Sequence, residues 1–286
     1  MKKLLVLIFT ICFFPFKAQA LTLFFHGTPE QGGSLFGYVS PEAKLTMNDK
    51  EITPRKDGWF FVGIGRDDTG VLIFKAETDE QVLTKKLTIK PRKWKVQKVN
   101  GLPQNTVTPN KAEEERIKRE SKITNKAREN APDMEMPLCF SRPAKGRISS
   151  VYGSQRILNG IKGGQHNALD IANKTGTIIK APADGVVLLS YDEMLVSGKT
   201  LLLGHGQNLT TSYIHMDKLF VKKGQKVKKG EQLGTIGKTG RANGPHLHWT
   251  VMWNDKRVDP QTFLKNSESF CAKTSLKERE GKEHDK

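Results

Sequence analysis

The stretch Gly244-Pro245-His246-Leu247-His248-Trp249 decides how the rest of the chain is interpreted. Trp249 begins a β-branched and aromatic series that continues to Trp253, which is typical of a β-strand. Residues two apart on a strand point to the same face, so His246 and His248 are predicted to project side by side into one space. A histidine pair that stands alone is often only a surface or core feature, and its interpretation therefore depends on the rest of the sequence.

Further histidines and an aspartate occur upstream of this pair. The stretch His166-Asn167-Ala168-Leu169-Asp170 has a histidine and a carboxylate four residues apart, and His215 follows in Tyr213-Ile214-His215. Because His166 and Asp170 are an even number of residues apart, they can face one cavity from a strand or across a short turn. Neutral imidazoles together with a carboxylate are ligand types that suit zinc.

The order and spacing of these motifs resemble the LytM or lysostaphin-type zinc peptidases of cell walls, which carry an H-x-x-x-D motif and a later H-x-H motif. The flanking stretches are similar to this family as well, so the resemblance covers about residues 140–265. Ala168 stands where the family usually has glycine, which is the mildest replacement unless the backbone there needs a positive φ. His205 is expected to be structural, because the family commonly has His-Gly there without assigning it to the metal.

The resemblance implies a site and a reaction. It implies that His166, Asp170 and His248 bind one Zn²⁺ ion per chain. It also implies that His215 and His246 are catalytic, one accepting the proton of a water and the other holding the oxyanion or protonating the amine. Three protein ligands leave a zinc position open for water, whose pKa the metal would lower toward about 7. The expected reaction is hydrolysis of peptidoglycan peptides at the D-alanyl–diaminopimelate cross-link, with a polyglycine bridge as the alternative substrate.

Other functions compete with this one. A LytM-domain protein can bind peptidoglycan and activate a partner amidase without cleaving, but such proteins typically lack some ligands, whereas all five residues occur here. The V-x-x-G rhythm of residues 221–231 also resembles biotinyl, lipoyl and phosphotransferase IIA carriers, although no modified-lysine hairpin is present. The sequence contains neither H-E-x-x-H nor G-x-S-x-G, which argues against thermolysin-like and serine hydrolase mechanisms.

The net charge bears on the partners of this protein, and the N-terminus bears on its location. A net charge of +17 favours polyanionic partners, but no helix-turn-helix, zinc-finger or RNA-module signature accompanies it, so nucleic acid is not an expected partner. Residues 1–20 combine a basic start, an apolar stretch and an Ala18-Gln19-Ala20 cleavage site, and are predicted to be a secretory signal peptide. No other stretch is long and apolar enough to span a membrane. The expected location is the periplasm, with an extracellular location as the alternative, and the sequence identifies no regulatory partner.

The predicted architecture is mainly β. Residues 21–100 alternate short apolar runs with turn signals, which favours an immunoglobulin-like β-sandwich as an accessory domain, with Trp94 to Val99 as its last strand. Residues 138–270 are the expected LytM-type all-β catalytic domain. Within it, Asn159 to Gly164 is expected to be a glycine-rich loop that lets the backbone approach an extended ligand.

The remaining segments are rich in charge. Residues 101–137 are predicted to be a charged helical linker that packs weakly on one side, with Asn110 and Glu113 as its capping box. Residues 271–286 are predicted to be a disordered charged tail. Cys139 and Cys271 flank the catalytic domain, and in an exported protein such a pair favours a disulfide, with two free thiols as the alternative.

Overall fold

The computed structural model describes residues 20–101 and 108–284, apart from the side chains of Val99 and of residues 273–284. Strands dominate this part of the chain and two α-helices accompany them, so the predicted mainly β class is confirmed. The predicted signal peptide lies outside the described residues except for Ala20. None of the described helices is both long enough and apolar enough to cross a membrane.

The N-terminal domain is a sandwich of two antiparallel sheets. Its strands are β1 (Leu23–His26), β2 (Ser34–Val39), β3 (Lys44–Met47), β4 (Lys50–Ile52), β5 (Trp59–Gly63), β6 (Val71–Glu77) and β7 (Val82–Thr88). One sheet has the order β1-β2-β5 and the other the order β4-β3-β6-β7. The rings of Phe25, Phe60 and Phe74 meet between the two sheets. The predicted sandwich is confirmed, and β1 and β4 are two strands that the sequence did not indicate.

The next strand joins the other domain. β8 (Val96–Val99) runs parallel to β10 (Ser154–Leu158), and β10 also pairs with β11 (Ile161–His166). Trp94 fixes the entry to β8, because the guanidinium carbons of Arg66 and Arg92 lie 4.9 and 4.7 Å from its ring centroid. The prediction that residues 94–99 complete the sandwich is therefore wrong, since the strand forms but its hydrogen-bonding partner lies in the second half of the chain.

The predicted linker helix is present as α1 (Lys111–Glu129). Its capping box is also present, because the Asn110 side chain accepts from the Glu113 amide and the Glu113 carboxylate accepts from the Asn110 amide, both at 3.0 Å. α1 packs more closely than expected, since Ala127 is buried in a cluster with Leu188 and Leu202 of the C-terminal domain. The helix is therefore a wall of that domain.

The C-terminal domain is built on one large antiparallel sheet. Besides β10 and β11, its strands are β9 (Arg147–Ser150), β12 (Leu169–Ala172), β13 (Ile178–Lys180), β14 (Gly185–Met194), β15 (Gly198–Gly204), β16 (Leu209–Leu219), β17 (Lys226–Val227), β18 (Gln232–Ile236), β19 (His246–Trp253) and β20 (Lys256–Val258). The main path has the order β17-β14-β15-β16-β19-β12-β9, with β18 between β13 and β16 and with β20 beside β19. The predicted all-β domain is confirmed.

A C-terminal helix, α2 (Pro260–His284), follows the last strand. It contains Cys271, which forms the predicted disulfide with Cys139, with the two Cα atoms 5.8 Å apart. The predicted disordered tail starts at Cys271, but this residue lies within α2 and is held by the disulfide, next to the buried side chain of Phe270. The helix continues from there to His284. Residues 285 and 286 lie outside the described residues.

One hydrophobic core runs through both domains. Phe36 and Phe61 of the sandwich contact Phe263 of α2, with ring centroids 6.1 and 5.6 Å apart. Phe61 also meets Trp253 at the end of β19, with a centroid separation of 6.4 Å. The sandwich is therefore packed directly against the strand that carries the two histidines of the H-x-H motif.

Candidate active site

The histidines of the H-x-H motif lie at the start of β19, as predicted. His246 and His248 are half-buried on one face of the strand, while Leu247 and Trp249 are fully buried on the other. β19 lies between β12 and β16, and the register of β12 places Asp170 directly opposite His248. A slip of one residue would turn both imidazoles into the core, so the burial of Leu247 and Trp249 fixes their orientation.

The first motif reaches the same place across a short turn. β11 ends at His166 and β12 begins at Leu169, so His166 and Asp170 lie on different strands. Ala168 in this turn is fully buried and does not have a positive φ, which explains why alanine fits there. His166 Nδ1 lies 3.0 Å from the Val151 carbonyl oxygen, to which it donates, and its Nε2 is therefore directed at Asp170 with a lone pair.

Three ligand-type atoms converge on the floor of the site. His166 Nε2 lies 3.0 Å and His248 Nδ1 2.9 Å from Asp170 Oδ1, and the two nitrogens are 3.2 Å apart. A tetrahedral ion with bonds of about 2.0–2.1 Å would separate its ligand atoms by about 3.3 Å. These three residues could therefore hold one metal ion with little movement.

Asp170 gives a separate reason for a cation at this place. Its Oδ1 is buried and has no hydrogen-bond partner among the described residues. Burial opposes its ionisation, and the pKa of this carboxyl is held well below its usual range only where the His166 and His248 rings, 3.0 and 2.9 Å away, supply a proton or a positive charge to Oδ1. Arg156 on β10 lies 3.7 Å from the second oxygen, Oδ2. A cation would stabilise an ionised, buried oxygen that has no donor. Burial lowers the pKa of His248, so this imidazole is neutral and can act as a metal ligand.

His215 enters the site from a β-bulge in β16. One extra residue on β16 interrupts its pairing with β15 between Tyr213 and Met216, and His215 has a φ of +62°. Such a conformation is uncommon for residues other than glycine, and here the bulge directs the side chain toward the cluster. Its Nδ1 donates to the Thr239 carbonyl oxygen at 2.8 Å, so Nε2 carries the lone pair. Burial lowers the pKa of His215 to about 4, and the ring is therefore neutral at pH 7.

His246 completes the group. Its Nδ1 donates to the Gly244 carbonyl oxygen at 2.9 Å, and its Nε2 lies 3.9 Å from Asp170 Oδ1. The rings of His246 and His215 have centroids 4.8 Å apart. The structure thus brings together all five side chains that the sequence analysis selected, from β11, β12, β16 and β19.

Two other expectations have different outcomes. His205, expected to be structural, is fully buried beyond the end of β15 and is not part of the cluster. The expected glycine-rich loop at 159–164 is wrong for residues 161–164, which belong to β11, while Asn159 and Gly160 form the turn with φ values of +47° and +81°. Sequence reasoning missed Arg156, because an isolated arginine on a strand carries no motif.

A β-sheet that presents an H-x-x-x-D pair and an H-x-H pair around a candidate metal position is the arrangement expected of a LytM-type domain. Comparison with known families gives the same result. Residues 164–260 match the model of peptidase family M23, and the chain carries a domain of this family.

Similar proteins include both enzymes and activators. The chain is 37% identical over 117 residues to the peptidoglycan DD-endopeptidase ShyA of Vibrio cholerae, a match that covers 41% of this chain and 27% of ShyA. It is 28% identical over 122 residues to the murein hydrolase activator NlpD of Escherichia coli, covering 43% of this chain and 30% of NlpD. The chain therefore matches between a quarter and a third of the length of these relatives.

A solved structure matches over a larger part of the chain. It is the crystal structure of a candidate M23 peptidase from Pseudomonas aeruginosa, with 28% identity and a TM-score of 0.61. The match covers 82% of this chain and 94% of the other. The shared fold therefore extends beyond the C-terminal domain into the sandwich.

Proposed function

We propose that this protein is a zinc-dependent endopeptidase that hydrolyses the peptide cross-links of peptidoglycan. The observation that carries the proposal is the presence of His215 and His246 beside the cluster of His166, Asp170 and His248. A protein that only binds a metal or a wall peptide has no need of two bases at this position. The similarity to a DD-endopeptidase supports the D-alanyl–diaminopimelate bond as the substrate.

His166, Asp170 and His248 would hold one zinc ion per chain. Two imidazoles and one carboxylate are a donor set of catalytic zinc sites, and the Asp170 oxygen that lacks a donor supports the fit. When bound, zinc lowers the pKa of a water to about 7 and polarises the scissile carbonyl. Arg156 would balance the second oxygen of Asp170 and help to orient the carboxylate.

His215 and His246 would serve the proton transfers of the reaction. In each ring the Nδ1–H group donates a hydrogen bond to a backbone carbonyl oxygen, and Nε2 faces the site. Amide hydrolysis requires one group that takes a proton from the attacking water and one that protonates the amine or holds the developing oxyanion. With ring centroids 4.8 Å apart, the two histidines can both reach one scissile bond.

The proposed place of action is the periplasm. The substrate lies outside the cytoplasmic membrane, and the disulfide between Cys139 and Cys271 suits an oxidising compartment. The net charge of +17 suits a wall polymer that carries carboxylates.

Activation of a partner amidase without cleavage is the second candidate function. The similarity to NlpD, a murein hydrolase activator, favours it. The complete set of five residues favours cleavage, and the following two experiments separate the functions.

The metal prediction concerns the three-residue cluster. Purified protein is expected to contain about one zinc per chain, and His248→Ala or Asp170→Ala should lose most of it, because each removes one of three ligands. Metal analysis by mass spectrometry measures this, with Asp79→Ala, an exposed aspartate, as the control that keeps its zinc. Unmutated, unchelated protein without zinc would contradict the prediction.

The catalytic prediction concerns the two bases. His215→Asn, which keeps a residue that tolerates positive φ, and His246→Ala should retain zinc and peptide binding. Their cleavage of purified sacculi should fall by about 10²- to 10⁴-fold, the usual contribution of a positioned acid or base. Mass spectrometry of the released peptides identifies the bond. If both variants cleave at the unmutated rate, or if unmutated protein cuts no cross-link yet stimulates an amidase, the endopeptidase proposal fails.

A further inference from the structure

The turn between β9 and β10, residues 151–153, contacts the candidate metal ligand His166 at two points. His166 Nδ1 lies 3.0 Å from the Val151 carbonyl oxygen, and the Gly153 amide donates to the His166 carbonyl oxygen at 2.7 Å. At the end of β9, Ser150 Oγ lies 3.1 Å from the same Nδ1. The position of this turn therefore decides where the His166 ring points and whether its Nε2 faces the cluster.

Side chains from the sandwich and from the segment that leaves it hold this turn on its other side. Arg66, in the loop between β5 and β6, donates Nε to the Gly153 carbonyl oxygen at 2.8 Å, and its side chain is only 11% exposed. The Arg66 guanidinium lies over the ring of Trp94, which packs against Gly153 so closely that a Cβ atom at this glycine would overlap the ring. Tyr152 meets the same ring edge-on, with centroids 5.8 Å apart. The turn is thus enclosed by groups that lie outside the catalytic sheet.

The next residue of the same loop contacts the strand that ends at His166. Gln165, which immediately precedes His166 on β11, donates Nε2 to Asp67 Oδ2 at 3.0 Å. The other oxygen of Asp67, Oδ1, accepts from Arg66 Nη1, so the two side chains of the loop also hold each other. Two consecutive residues of the sandwich therefore contact the two segments that position one imidazole, the β9–β10 turn and the end of β11.

We propose that Arg66 is a positioning residue for the metal site, and that it acts on His166 through the β9–β10 turn. This inference rests on the proposed function, because the orientation of His166 matters in this way only if the ring is a metal ligand. With Nδ1–H held by the Val151 carbonyl oxygen, the Nε2 lone pair is directed at the cluster before an ion binds. A released turn would let the ring take other orientations, and the apparent dissociation constant for zinc would rise as the correctly oriented fraction falls.

Zinc affinity, measured by competition with a chelator, tests the positioning role. Arg66→Met removes the donor and the charge but keeps an unbranched side chain. The variant is expected to bind zinc about tenfold more weakly, at the lower end of the range for residues that orient metal ligands, because Arg66 acts through a backbone turn. The visible spectrum of the Co²⁺-substituted protein should change as well, since it depends on ligand geometry. Arg66→Lys should recover part of the affinity, because its ammonium can donate to the Gly153 carbonyl oxygen but cannot stack as a planar group on Trp94.

Lys256→Met is the matched control. Lys256 Nζ of β20 donates to Asp68 Oδ1 at 2.9 Å, so this variant removes a cationic contact of the same sandwich loop without touching the β9–β10 turn. It should keep the zinc affinity of unmutated protein, and urea unfolding of the zinc-free variants checks that both are folded. Unchanged zinc affinity in Arg66→Met, or an equal loss in Lys256→Met, would overturn the positioning role. Unmutated protein that binds zinc but cuts no cross-link would instead overturn the proposed endopeptidase, and unmutated protein that binds no zinc would overturn both.

Discussion

At the scale of the residue, His205 shows how a histidine outside the site is used. Its Nδ1 donates to the Asp184 carbonyl oxygen at 2.7 Å, and its Nε2 accepts from Thr211 Oγ1 at 2.8 Å. The Tyr213 hydroxyl extends this buried chain, 2.9 Å from Thr211 Oγ1. A protonated His205 would have no acceptor for Nε2–H, because Thr211 would have to reverse its own hydrogen bonds. Burial accordingly lowers the pKa of His205 to about 4.

We expect His205 to make folding sensitive to acid. The unfolded chain protonates this ring near its ordinary pKa of 6.5, whereas the folded protein does so only near pH 4. The stability that neutral His205 contributes is therefore complete above pH 6.5 and is lost as the pH falls toward 4, by about 2 to 3 kcal/mol at pH 4.5. Urea unfolding of chelated protein at pH 7 and 4.5 measures this change. His205→Gln should show a smaller loss, and an equal loss in both proteins would refute the prediction.

At the scale of the element, α1 is attached by buried polar contacts more than by an apolar stripe. Glu120 is buried, and its carboxylate accepts from Arg116 Nε at 2.7 Å and from the Leu195 amide at 2.8 Å. At the start of the helix, Glu113 pairs with Arg241 at 3.0 Å, in the loop that leads to His246. The helix therefore connects the β14–β15 turn to the loop before the H-x-H motif.

Glu120→Ala is expected to lower the free energy of unfolding by about 1 to 3 kcal/mol. The change leaves the half-buried Leu195 amide without its acceptor, which costs part of its desolvation penalty. Chemical denaturation measures the difference. The matched variant Glu115→Ala removes an exposed glutamate from the same helix and should change stability by about 0.5 kcal/mol or less. Similar losses in the two variants would mean that α1 is the solvated spacer that its composition indicates.

At the scale of the whole molecule, the sandwich and the C-terminal domain share one core. Phe36 and Phe61 lie against Phe263, and Trp59 contacts Phe270 with ring centroids 4.4 Å apart. Separating the two domains would expose these rings to water, at a cost of about 1.5 to 3 kcal/mol for each side chain. The accessory domain is therefore part of the folded unit that supports β19.

We expect the full chain to unfold in a single transition. Trp59 reports on the sandwich and Trp249 on the sheet beneath the site, while far-ultraviolet circular dichroism reports on all strands. Because one core joins the domains, denaturation curves from tryptophan fluorescence and from circular dichroism should coincide. The single-tryptophan variants that retain only Trp59 or only Trp249 should give the same midpoint. Two separated midpoints would show that the domains unfold independently.

The sequence by itself determined the sheet around β19 and the five residues of the site. His246 and His248 alternate with buried Leu247 and Trp249, and this local pattern is enough to assign the strand and the face of its imidazoles. The Asn110 and Glu113 capping box was likewise predictable, because both partners lie within one helical turn. These features depend on neighbours in the sequence, and the resemblance to a known family supplied the roles of the histidines.

Only the tertiary structure decided the remaining features. β8 pairs with β10, although nothing in Val96–Val99 distinguishes a strand of the sandwich from a strand of the C-terminal domain. The φ of His215 follows from a bulge against β15, and the burial of Ala127 follows from the packing of α1 against Leu188 and Leu202. The physical reason is the same in each case. A local pattern states which face of an element is buried, but the partner that buries it is chosen by contacts between residues far apart in the chain.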